Sequence, residues 1–165
     1  MNEKFEHLIE RVGLLMDRLE RVLPQPLSAP DWSASIAFRY RKRSSGHGTL
    51  EPVRHVGAIA LADLQEIDGQ KEKIQRNTLQ FVQGLPANNV LLTGARGTGK
   101  SSLVKSVHGA ILINGLDCGL VEIHREDIAD LPFLMAFLAQ IERYFIIFSD
   151  DLAFEGGEST YKSLK

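Results

Sequence analysis

Gly94-Ala95-Arg96-Gly97-Thr98-Gly99-Lys100-Ser101 follows the apolar run Val90-Leu91-Leu92 and decides how the chain is read. It fits G-x-x-x-x-G-K-[ST] at every required position. With glycine at about 7% of residues, the four fixed positions coincide by chance in a chain of this length at a rate on the order of one in a hundred. The surroundings sharpen the match. The spacing predicts a strand over residues 89–93 and a helix over residues 100–113, the strand-loop-helix context that the motif requires.

Each residue type has a chemical reason to be there. Glycines at 94, 97 and 99 let the backbone turn tightly and aim its N–H groups inward, so that a phosphate chain is wrapped without side chains in the way. The helix that starts near Lys100 adds free N–H groups and the positive end of its dipole. Lys100 is expected to reach the β- and γ-phosphates, and the Ser101 hydroxyl to ligate Mg²⁺. Ala95, Arg96, Thr98 and Ser102 complete the candidate binding run. Arg96 reads either as a solvent-facing filler or as a contact to phosphate or a neighbouring subunit.

Such a site needs an acidic residue at the end of a neighbouring strand. Phe145-Ile146-Ile147-Phe148-Ser149-Asp150-Asp151 supplies it, because four bulky apolar residues read as a buried strand ending in two carboxylates. Asp150 is the candidate metal-side carboxylate. Asp151 would polarise the attacking water, with Glu155 a second candidate for that base. Alone, an Asp-Asp pair after a strand reads as a helix cap or a solvated turn. Beside the glycine loop it reads as the metal half of the site.

Working outward, the chain has 165 residues, 44% hydrophobic, with a net charge of −2. These values describe a folded domain able to bury a core without disulfides, and its one cysteine, Cys118, excludes an internal bridge. The near-neutral balance argues against a protein that coats nucleic acid or an acidic membrane. No apolar run approaches the ~20 residues that span a bilayer, and acidic residues interrupt the N-terminus where a signal peptide would be apolar. A reducing cytoplasm is the expected compartment.

Residues 1–30 form a first unit, an amphipathic helix with a Pro-rich linker. Phe5, Leu8, Val12, Leu15, Leu19 and Val22 recur at intervals of three and four and share one stripe, widened by Ile9, Met16 and Leu23. The stripe either packs on its own domain or serves as a short coiled-coil or partner helix. Residues 31–60 form a basic β-hairpin segment, with Arg39, Arg41, Lys42 and Arg43 leading into the turn residues 44–48. With Phe38, Tyr40 and Trp32 these arginines either grip nucleic acid or phosphate or form a charged hairpin edge that discourages edge-to-edge pairing.

Residues 61–165 then alternate helix and strand: helix signals at 61–64 and 69–81, a strand at 89–93, a helix at 100–113, a strand at 119–123, a helix at 127–141 and a strand at 144–148. Such alternation predicts a parallel α/β sheet. The histidines, His7, His47, His55, His108 and His124, show no metal-ligand spacing. Cys118 reads as a small buried residue.

The segments Asp68-Gly69-Gln70, Val90 to Gly94, Gly99-Lys100-Ser101 and Phe145 to Asp151 together resemble the first half of an AAA+ ATPase core. The runs Pro86-Ala87-Asn88-Asn89-Val90, Ser102-Leu103-Val104-Lys105, Glu126-Asp127 and Asp150-Asp151-Leu152 resemble, more narrowly, a family of stand-alone bacterial AAA+ proteins of unknown physiological role. The likeness covers residues 38–165. It implies an α/β P-loop NTPase fold with a parallel sheet and flanking helices, residues 64–70 near the adenine, and ATP hydrolysis in a homo-oligomer of the full-length protein. Asp151 stands where most AAA+ proteins carry glutamate. Cores of that family continue with a sensor strand, an arginine finger, a fifth strand and a helical lid. The sensor strand lies between the strand ending at Thr93 and the strand ending near Ser149. The expectation is therefore a core truncated after the second acidic strand, with one sheet edge rearranged or exposed.

The leading expectation is an ATP-binding, Mg²⁺-dependent module, with hydrolysis only in the complete protein, since groups supplied in trans carry much of the rate in such systems. One alternative is another P-loop class. A small kinase would need lid arginines, and a GTPase would show Asp-x-x-Gly where Asp150-Asp151-Leu152-Ala153 stands. The other is a non-catalytic assembly or regulatory module acting through the N-terminal helix and basic hairpin. Expected partners are ATP and further copies of the chain, with no membrane and nucleic acid a weaker candidate.

Overall fold

The computed structural model describes residues 2–22, 27–43, 46–57 and 59–150. Strand β1 (Ala37–Arg43) and strand β2 (Gly46–Pro52) form the expected hairpin, antiparallel from Phe38↔Pro52 to Arg43↔Gly46 with an irregularity between Arg41 and Arg43. The alternation of β1 explains its burial: Phe38 and Tyr40 are fully enclosed while Arg39 points to the other face. Gly48 has no room for a side chain, since a Cβ there would lie 2.4 Å from the Arg41 carbonyl oxygen and 2.5 Å from Tyr40 Cζ.

β1 pairs in parallel with β3 (Cys118–Ile123), which pairs in parallel with β4 (Tyr144–Phe148). The result is one four-stranded sheet in the order β2-β1-β3-β4. It is mixed, which corrects the expectation of a parallel sheet. Only two residues separate β1 from β2, which makes the pair antiparallel, whereas a long connection carrying α2 and α3 precedes β3, the length that parallel pairing with β1 requires.

The helices are α2 (Asp68–Val82), α3 (Lys100–Ile113) and α4 (Leu131–Leu138). Strand parity assigns them to faces. Cys118 and Ile146 pack with Val82 of α2 and Ile111 of α3. Val121, Ile123, Phe145 and Ile147 point the other way and pack with Leu131, Leu134 and Leu138 of α4, together with Phe38, Tyr40 and Trp32. Full burial of a side chain such as Phe38 or Leu134 stabilises by about 1.5–3 kcal/mol.

Three further sequence expectations need correction. Residues 89–93 form no strand. Val90 and Leu91 are 50% and 68% exposed, and among the described residues no strand pairs with the outer edge of β4. A lone extended segment has no ladder to satisfy its backbone, so apolar sequence alone does not make it a strand. The helix expected at 127–141 is shorter. Arg125–Asp130 is a 3-10 turn and α4 begins at Leu131, with Pro132 in its first turn. A proline there has no N–H to continue a helix from the preceding turn. The helix signal at 61–64 is likewise a 3-10 turn, Leu61–Asp63.

Helix α1 (Asn2–Val22) is as long as the periodicity predicts. Its described side chains, residues 5–19, are all exposed, so over those residues the stripe does not pack on its own domain; Val22 and Leu23 lie outside the described side chains. Among the described residues no helix is long and apolar enough to cross a membrane.

Candidate functional site

The loop between residues 93 and 100 takes the backbone shape its glycines permit. Gly94, Gly97 and Gly99 have φ of +147°, +82° and +83°, a region that L side chains rarely adopt. Gly99 caps the N-terminus of α3 in the left-handed conformation without a side-chain cap. The first N–H groups of α3 are therefore available to a ligand, as at any helix start.

Side chains close the loop on itself. Thr98 Oγ1 donates to the Ala95 carbonyl at 2.8 Å, and Lys100 Nζ donates to the carbonyls of Gly94 at 3.0 Å and Ala95 at 2.8 Å. The ammonium thus sits over the loop it is expected to share with phosphate. The loop lies on the surface, with Lys100, Ser101 and Ser102 half-buried and Arg96 exposed.

Ser101 Oγ donates to Asp150 Oδ2 at 2.6 Å, joining residues 49 apart in sequence. This contact follows from the packing beneath it. Leu103, Val107 and Ile111 bury one side of α3, and the fully buried His108 donates from Nε2 to the Cys118 carbonyl at 2.8 Å. β3 then sets β4 in register, Cys118↔Tyr144 through Glu122↔Phe148, which delivers Asp150 to the start of α3. Lys105 Nζ lies 6.0 Å from the Phe148 ring centroid one turn further along. Asp151 and Glu155 lie outside the described residues.

Ser101 and Asp150 are hard oxygen donors, the class that Mg²⁺ prefers. Among the described residues no group of three or more His, Cys, Asp or Glu side chains could hold a metal by itself. A Mg²⁺ here would therefore take its remaining ligands from phosphate and water, as it commonly does.

Burial tunes two groups under the loop. The His108 imidazole is held below its ordinary pKa, chiefly by desolvation and secondarily by Arg143, and its Nδ1 is buried without a hydrogen-bond partner. Burial pushes the Cys118 thiol up to about 11. Both suit neutral structural roles, and Cys118 is buried as its sequence setting suggested.

Two contributors were invisible to motif reading. Asn77 on α2 donates from its side-chain amide to the Asn88 carbonyl at 2.8 Å and accepts the Asn88 N–H at 2.9 Å, clamping the chain ahead of the loop. The Ser149 hydroxyl, beside Asp150, is buried with no hydrogen-bond partner. Neither residue carries a sequence signal, since each role depends on a neighbour supplied by the fold.

The basic hairpin is largely neutralised. Arg39 donates through Nε and Nη2 to Glu122 Oε2 at 3.2 and 2.9 Å. Arg41 pairs with Glu51 at 3.1 Å and Lys42 with Asp130 at 3.2 Å. A cavity of about 80 Å³ between α3 and the sheet, lined in part by Arg39, His55, Lys105 and Glu122, has room for water and not for a nucleotide.

A family model described as "Protein of unknown function (DUF815)" matches residues 33–165. No curated protein and no solved structure matches the chain.

Proposed function

The chain belongs to the DUF815 family, and from the site it carries we propose that it is an ATP-binding, Mg²⁺-dependent, AAA+-like P-loop module. Hydrolysis would belong to a homo-oligomer. The observation that carries the reading is the 2.6 Å contact between Ser101 and Asp150, which unites a glycine-rich loop at a helix start with the carboxylate that follows β4. A purely structural turn has no need of that union.

The chain's own residues have defined parts in this reading. The N–H groups at the start of α3 and the loop backbone receive phosphate oxygens. Lys100 exchanges two neutral carbonyl partners for anionic oxygens, which form stronger charge-assisted bonds. Ser101 and Asp150 would hold Mg²⁺, which neutralises phosphate charge. Asp151, with Glu155 as the second candidate, would orient the attacking water.

Handedness also supports the reading. A β3-α4-β4 crossover is right-handed by the general rule. Because α3 covers the opposite face, a right-handed connection into β3 requires the segment feeding α3 to come from the β4 side of the sheet. That segment is residues 90–93, which form no strand but would enter the glycine loop beside Asp150, in the crevice where α/β sheets bind ligands.

The test is an equilibrium titration of the chain with a fluorescent ATP analogue, with and without Mg²⁺, alongside Lys100→Ala and Asp150→Ala. Saturable binding that weakens in Lys100→Ala and loses its Mg²⁺ dependence in Asp150→Ala is the expected result. Absence of binding by a chain that circular dichroism shows to be folded sinks the proposal. It would favour the non-catalytic assembly module, a reading that rests on the exposed stripe of α1.

A further inference from the structure

We infer that Asn77 is a positioning residue for the phosphate loop, one that sets nucleotide affinity without touching nucleotide. The inference rests on the phosphate-binding reading above. Asn77 donates from Nδ2 to the Asn88 carbonyl at 2.8 Å, and its Oδ1 accepts the Asn88 N–H at 2.9 Å. Both bonds go to the backbone of one residue, the exchange that a directly opposite residue of a neighbouring antiparallel strand would make. An asparagine side chain thus supplies a single ladder rung to a segment that has no ladder. Asparagine suits the task, since its amide carries a donor and an acceptor side by side, whereas an ionised aspartate only accepts.

The surroundings make that rung consequential. Residues 86–93 are exposed apart from the half-buried Leu92, and among the described residues no other hydrogen bond ties them to the rest of the chain. Upstream, the next hydrogen-bonded point is Leu85, whose N–H reaches the Gln80 carbonyl. The tether to Gly94 is therefore six residues long with the rung and nine without it. Loop-closure statistics make the shorter tether about twofold better at holding the loop in one place. The other end of the rung is firm. Asn77 adjoins Thr78, and Thr78 and Val82 are buried on α2, with Val82 packed against Ile111 of α3. Because α3 carries Lys100 and Ser101, Asn77 fixes the entry to the loop relative to the helix that leaves it. A loop already held in place loses less conformational freedom when phosphate arrives.

Asn77→Ala removes both bonds while raising helix propensity at an interior position of α2, so the thermal midpoint should hold. Titration with a fluorescent ATP analogue and Mg²⁺ should then show affinity weakened between about twofold and about tenfold. The Mg²⁺-dependent gain should remain, because Ser101 and Asp150 are untouched. Asn88→Ala should bind as the unaltered chain does, since the rung uses only backbone groups of residue 88. In the nucleotide-free chain, ¹⁵N relaxation should show the order parameters of residues 89–93 falling in Asn77→Ala and holding in Asn88→Ala. Order parameters indifferent to Asn77, or equal weakening by Asn88→Ala, overturn the positioning role. Weakening that comes with a lowered thermal midpoint assigns the loss to the fold and overturns it as well. An unaltered chain that binds no nucleotide sinks the phosphate reading itself, whereas undiminished binding by Asn77→Ala sinks the positioning role alone.

Discussion

Ser101 lies in the first turn of α3, Asp150 follows β4, and their side chains meet at 2.6 Å although they are 49 positions apart in sequence. β3 mediates, by holding α3 through the His108 bond and β4 through its ladder, and α3 also meets β4 directly where Lys105 lies over the Phe148 ring. The site is therefore only as well ordered as that three-part packing.

If the pair shares one Mg²⁺, Ser101→Ala and Asp150→Asn should each abolish the Mg²⁺-dependent gain in nucleotide affinity. The double variant should lose no more, a non-additivity expected of residues acting as a unit. Because both residues are partly or fully exposed, thermal stability should change by less than about 1 kcal/mol. Additive losses in the titration would separate the two roles.

Gly48→Ala should be markedly destabilising. The new Cβ would meet the Arg41 carbonyl and the Tyr40 ring at 2.4 and 2.5 Å, a clash with backbone and with a fully buried aromatic that cannot swing away. Overpacking of this kind costs about 1–3 kcal/mol, which lowers Tm by roughly 2–4 °C per kcal/mol in a chain of this size. An unchanged melting temperature would show that the hairpin shifts freely.

Acid should destabilise the fold through His108. Its folded pKa lies below the unfolded value of 6.5, so the unfolded chain takes up the proton first. The stability this group contributes is present above that value and is lost as pH falls below it, toward the folded pKa. Denaturant midpoints measured between pH 5 and 8 should rise with pH, and His108→Gln should flatten that rise. A slope unchanged by the substitution would assign it to other groups.

Tyr40 gives the opposite limb. Burial, with Asp130 nearby, raises its pKa above 10.0, so stability contributed by the neutral phenol is complete below that value and is lost as pH rises through the folded pKa. Tyr40→Phe should remove that alkaline dependence. It should also cost about 1–3 kcal/mol at neutral pH, because the hydroxyl accepts the buried Gly48 N–H at 3.0 Å and donates to Asp130 at 3.1 Å. Ultraviolet titration of the phenols together with urea unfolding checks both effects.

Much of this architecture was legible because local signals agreed. The hairpin, α2, α3, β3 and β4 fall where periodicity and breakers predict them. The failures have separate causes. Val90-Leu91-Leu92 has strand composition but no neighbouring strand among the described residues, and residues 127–141 have helical periodicity interrupted by Pro132. For α1 the periodicity told the stripe but not its occupant, since an amphipathic helix reads alike whether it packs inward or outward.

The sequence by itself determined the loop from Gly94 to Ser101, the run ending in Asp150, the amphipathic stripe of α1 and the types of the hairpin, α2, α3, β3 and β4, because these depend on residue chemistry and short-range spacing. Only the tertiary structure decided that β1 pairs in parallel with β3, that the hairpin cations meet Glu122, Glu51 and Asp130, that α1 stands exposed, and that Ser101 meets Asp150. Those outcomes depend on which surfaces remain once every strand edge and apolar face has competed for partners, and no local pattern encodes that competition.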